Sequence, residues 1–97
     1  MEVKYRDLVA FLRQSASAFR SMGAETTLEM LTLADVFDRG KPTNDDRRIA
    51  VNILQSAEKH FRSMEKEFPN ATVQILRVHV LQSLLNMEIN NIIEENI

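Results

Sequence analysis

Two histidines, His60 and His79, and a scatter of cations are the residues whose types could do chemistry in this 97-residue chain. A helical carboxylate-metal site needs a carboxylate three or four positions from a histidine, so that both share a face. Neither histidine has Asp or Glu at three or four before it, and Glu58 precedes His60 by two, which turns the pair to different faces. An ordinary surface histidine is the expectation for both. Cysteine is absent, which removes a disulfide framework, a thiolate zinc site and a cysteine nucleophile together. Ser15, Ser17, Ser21, Ser56, Ser63 and Ser83 lie in no strand-turn-helix elbow, and Gly23 and Gly40 stand too far apart to cradle a phosphate. The chain is therefore expected to be no enzyme, with no metal, cofactor or small-molecule substrate.

An exposed histidine in mid-helix is the reactive group of histidine phosphotransfer domains, whose motif is similar to His-x-Leu-Lys-Gly. Here the stretch is His79-Val80-Leu81-Gln82-Ser83, which keeps the leucine and lacks the lysine and glycine. A solvated His79 is expected instead. The densest basic groups are Arg47-Arg48 and the row Lys59, Arg62 and Lys66, whose spacing of three and four shares a helix face. Such a row could follow phosphates, and these five residues form the candidate nucleic-acid surface. Glu58, Glu65 and Glu67 lie among them, so a self-neutralised, solvated face is favoured. Asp45 and Asp46 read as helix-start residues facing the macrodipole, since the alternating oxygen ligands of a calcium loop are missing.

These groups are positioned by helices. Gly23, Gly40, Pro42 and Pro69 cut the chain into four segments rich in helix-favouring residues. The expectation is an all-α, up-down bundle of four helices at about 3–22, 27–38, 44–68 and 71–95, forming one domain over residues 1–97. In the first segment, Tyr5, Leu8, Leu12, Ala16 (or Ser15), Phe19 and Met22 make an apolar stripe, widened by Val9 and Phe11, with Gly23 at the C-cap. Thr26 with Glu29 reads as a capping box for the second. That helix is apolar over most of its circumference, as a helix wedged between neighbours would be. Gly40 closes it. Thr43 with Asp46, or Asn44 alone, caps the third. Its seam of Ala50, Leu54, Ala57, Phe61, Met64 and Phe68 steps by four and three up to Pro69.

The fourth segment is the most informative. Val73, Leu76, Val80, Leu84 and Met87 form one apolar arc, and Val78, Leu81, Leu85, Ile89 and Ile92 form an adjoining one. Together they exceed the ~100° stripe of a helix covered on one side. The second segment spans only ~18 Å against ~37 Å for the fourth, so the C-terminal end is expected to overhang. Val78, Leu81, Leu85, Ile89, Ile92 and Ile93 are the expected partner-binding residues, and the fourth helix is expected to be central or at a subunit interface. Asn86, Asn90 and Asn91 are candidates to fix pairing register.

A net charge of −2 argues against a free-standing duplex-DNA binder. The charge thins toward the end: residues 71–97 carry Arg77 against Glu88, Glu94 and Glu95. The first residues mix both signs with no long apolar run after them, so no signal peptide is expected and the expected location is the cytoplasm. The expected function is a small protein-protein interaction module, a subunit, adaptor or inhibitor, that self-associates as a homodimer through its last helix. A nucleic-acid-associated role through the basic face of the third helix is the alternative.

Overall fold

A computed structural model describes residues 5–18 and 24–95, with side chains at 5–17 and 27–91. The described residues form four α-helices: α1 (Arg6–Ala18), α2 (Ala24–Asp38), α3 (Asn44–Met64) and α4 (Asn70–Glu95). The all-α class and the four helices expected from the sequence are those found. The chain groups into two compact units, Met1–Asp46 and Arg47–Ile97. No helix among the described residues is long and apolar enough to cross a membrane.

In the first unit, α1 and α2 pack against each other. They run antiparallel. Tyr5, just before α1, meets Phe37 near the end of α2 edge-to-face, with ring centroids 5.0 Å apart. At the opposite ends, the Thr27 hydroxyl donates to the Ala16 carbonyl at 3.3 Å. The stripe read from the sequence is the buried face, with Leu8, Leu12, Ser15 and Ala16 all inside and Val9 and Phe11 beside them. Met30, Leu33, Ala34 and Phe37 are buried among the described side chains of α2. Phe19, Met22 and Gly23 lie outside the described residues.

Two details of α2 differ from expectation. The helix already runs through Thr26, so the box at Thr26 and Glu29 does not open it. Ala24 and Glu25 continue the helix upstream, and the next threonine, Thr27, spends its hydroxyl on α1. The helix is also not covered all round, since Leu28 and Leu31 are exposed. Its end is as read: Gly40 takes φ 75°, a left-handed angle that glycine adopts without cost, and its N–H donates to the Phe37 carbonyl at 3.0 Å.

The start of α3 is a reciprocal cap. The Asp46 N–H donates to the Thr43 hydroxyl at 3.1 Å, and the Thr43 N–H donates to the Asp46 carboxylate at 2.8 Å. Its end differs from expectation. Helix α3 stops at Met64, four residues short of Phe68, because the reversal into α4 consumes those residues. The Glu67 and Phe68 N–H groups fold back to the Met64 carbonyl, while the Phe68 and Pro69 carbonyls already accept from Ala71 and Thr72 in the first turn of α4. Pro69 therefore serves the start of α4, where its missing N–H costs nothing.

In the second unit, α3 and α4 run antiparallel. As one helix ascends the other descends through three polar contacts: Arg47 with Glu88 at 3.4 Å, Glu58 with His79, and Glu65 with Thr72 at 3.3 Å. The buried side chains are Ala50, Ile53, Leu54, Ala57 and Phe61 on α3 and Ala71, Ile75, Val78, Leu81 and Leu85 on α4.

Glu58 joins the two helices. It accepts from the Arg62 guanidinium at 3.3 Å on its own helix and from His79 Nε2–H on α4. Burial pushes its carboxyl up, but the hydrogen bonds from His79 and Arg62 outweigh this and hold it below the usual glutamate range. A carboxyl whose pKa is lower folded than unfolded adds stability above the unfolded value, and that stability is lost as pH falls through the folded one. The chain is therefore expected to lose stability on acidification from about pH 4.3 downward, and Glu58→Gln to have a shallower acid limb in urea melts taken across that window. Parallel acid limbs in the two proteins would remove Glu58 from the account.

Candidate functional site

The charged candidates come out differently from one another. Arg47 and Glu88 form a largely enclosed ion pair, with 12% and 15% of the two side chains accessible. It fixes the start of α3 to the later turns of α4. Arg47 is thus enclosed beside a carboxylate and cannot lie along a phosphate backbone, which corrects its assignment to a nucleic-acid surface. Arg48 and Lys59 are on the exposed side of α3. Arg62 is tied to Glu58. Lys66 is exposed in the turn beyond Met64, so the expected row of three on one helix face is two residues and a loop. The row loses its register because it depended on α3 continuing to Phe68.

His79 is about half exposed and hydrogen-bonded to Glu58, twenty-one residues earlier in the chain. The carboxylate that holds it comes from across the helix pair and not from its own helix. Among the described residues no group of three or more His, Cys, Asp or Glu is placed to hold a metal ion.

The apolar candidates are where the structure is most specific. Val78, Leu81 and Leu85 are accessible at 0%, 4% and 0%. They are core residues, and a partner could reach them only if the fold opened, so their assignment as partner-binding is corrected. Ile89 is half-buried, and the side chains of Ile92 and Ile93 lie outside those described. The other arc faces solvent. Val73, Leu76, Val80 and Met87 are 56%, 60%, 69% and 63% accessible, and Leu84 is half-buried between them. Phe68, at 57%, stands in the turn just before α4. Asn86, Asn90 and Asn91 are exposed, and at 100° per residue Asn91 shares the meridian of Val73.

The site is thus an apolar ridge on α4, about 21 Å long from Val73 to Met87. One flank carries Thr72, His79, Ser83 and Asn90, with no Asp, Glu, Lys or Arg among them. The other carries Arg77, which donates to Gln74 at 3.2 Å, and Glu88. Large apolar side chains in line, edged by polar ones, make an exposed apolar patch of the kind that marks a contact surface.

The ridge stays in place because α4 is anchored, and Arg47–Glu88 is the anchor with the most at stake. Glu88→Ala is expected to cost about 2–3 kcal/mol in chemical denaturation, because it takes away the carboxylate that holds a nearly enclosed guanidinium. Glu58→Ala, between more exposed groups, should cost clearly less. Equal losses in the two variants would show that enclosure does not set the strength of these contacts. No protein-family model, curated protein or solved structure matches this chain.

Proposed function

We propose that this chain is a non-catalytic protein-protein interaction module that works through the outer ridge of α4, and that it uses the ridge to associate with a second copy of itself. The observation that supports this most is the alignment of Val73, Leu76, Val80 and Met87, each more than half exposed, along one face of one helix. Burying such a side chain completely is worth roughly 1.5–3 kcal/mol, so four that are half-exposed hold on the order of 5 kcal/mol per copy. Association costs at least ~4 kcal/mol in lost freedom, and often far more. The balance is a weak, concentration-dependent dimer, suited to a subunit or adaptor whose assembly follows its own abundance.

Size-exclusion chromatography with light scattering, run over a range of loading concentrations and with absorbance at 260 nm recorded, tests this. The mass is expected to rise above the 11.2 kDa monomer with loading. The double variant Leu76→Asp/Val80→Asp, which changes only exposed positions, is expected to remain at 11.2 kDa with its helical circular dichroism intact. A wild type that stays monomeric at the highest loading, or a double variant that still dimerises, would overturn the reading. A monomer that carries excess 260 nm absorbance would shift the function to nucleic acid.

A further inference from the structure

Oxidisable side chains are few in this chain and unevenly placed. There is no cysteine and no tryptophan, and the single tyrosine, Tyr5, is buried. Peroxide chemistry therefore falls to the thioether sulfurs of the five methionines. Three of them have described side chains. Met30 is in the core at 1% accessible, Met64 is half-buried at the end of α3, and Met87 is 63% accessible on α4. Oxidation follows exposure, because the peroxide must reach the sulfur. Among the described methionines, Met87 best meets that condition.

Met87 also stands where a change of polarity matters. At 100° per residue it lies between the meridians of Leu76 and Val80, about 20° from each. It is thus on the midline of the ridge and on neither flank. Leu84, three residues before it, and Val80, seven before it, are its neighbours along that line. Methionine is an apolar, adaptable side chain, whereas its sulfoxide is polar. The Val and Leu side chains of the ridge have no hydrogen-bond donor to offer the sulfoxide oxygen. Covering the ridge would then take that oxygen out of water without replacing its hydrogen bonds.

We propose that Met87 is a reversible oxidation site that turns the ridge of α4 from apolar to polar and so releases a second copy bound there. In the step, a lone pair of the sulfur attacks one oxygen of hydrogen peroxide. An S–O bond forms, the O–O bond breaks, and the second oxygen leaves as water with both protons. The sulfur is oxidised by two electrons and the peroxide is reduced. An external thiol reductant reverses the change: the sulfoxide oxygen leaves as water while two thiols become a disulfide. The releasing role rests on the self-association proposed above. That dimer is weak, so dilution exposes Met87 to the oxidant.

Dilute protein treated with limiting hydrogen peroxide, followed by mass mapping of the methionine peptides, tests the site. Met87 is expected to gain one oxygen about tenfold faster than Met30, and severalfold faster than Met64. Equal rates at the three positions would overturn the assignment. Light scattering over a range of loading then reads the dissociation constant, with helical circular dichroism confirming that the fold is intact. Oxidised wild type is expected to dimerise about tenfold more weakly than reduced protein, and to recover with methionine sulfoxide reductase and a thiol. Met87→Leu carries no sulfur there and is expected to lose this response, whatever its own dissociation constant. A response that persists in the variant would move the switch to another methionine and overturn the proposal. Equal dissociation constants for oxidised and reduced wild type would overturn the switch and leave self-association standing. Reduced wild type that stays at 11.2 kDa at every loading would overturn self-association and the switch together, even with Met87 oxidised first.

Discussion

The register between α3 and α4 decides which of two apolar arcs on α4 is spent on folding and which is left on the surface. By composition the arcs are nearly interchangeable: both are rows of Val, Leu and one further apolar type. Once Arg47 meets Glu88, Glu58 meets His79 and Glu65 meets Thr72, Val78, Leu81 and Leu85 are inside and Val73, Leu76, Val80 and Met87 are outside. A rotation of α4 by less than half a turn would exchange those roles. Apolar burial alone would resist that exchange weakly, so the polar contacts supply specificity beyond their modest strength. The reversal at Phe68 and Pro69 sets the length of the turn, and through it the level at which each of these partners meets.

This is also where the sequence stops being legible. Helical segments, the Gly40 stop and the Thr43–Asp46 cap are local events written in adjacent residues, and they are read correctly. The apolar stripe of α1 is equally plain, because only one face of that helix is apolar. On α4 periodicity reveals two faces and offers no means of choosing between them. Ala71 and Ile75, which belonged to neither arc, are both buried and lie on the far side of Val78 from the ridge. The buried sector is centred further round than the arcs suggested. A small residue such as Ala71 and an out-of-phase Ile75 were the available signals.

Charged residues were misread for the same reason. Arg47 and Glu88 are forty-one positions apart, and their pairing depends on where the chain turns. Proline ends helices, which by itself points to a turn at Pro69; but a reversal between two long helices needs several residues, and α3 yields them from Met64 onward. That one shift takes Phe68 out of the α3 seam, removes Lys66 from the basic row and leaves an exposed phenyl ring beside the start of the ridge. His79 shows the converse. Its own helix has no carboxylate three or four positions before it, whereas Glu58 reaches it from α3.

The self-association proposed above rests on the line of Val73, Leu76, Val80 and Met87, each more than half exposed along one face of α4. The small size of the ridge matters equally. A footprint of about 21 Å by roughly 10 Å is well below the ~800 Å² per partner of a standard interface, so such a dimer would dissociate on dilution. The proposed self-pairing would occupy the ridge without committing the chain permanently, and Leu28 and Leu31 on α2 are exposed as well. The surface is then consistent with a module whose availability is regulated by its own concentration, since the face that pairs in the dimer is the face a competing helix would have to displace.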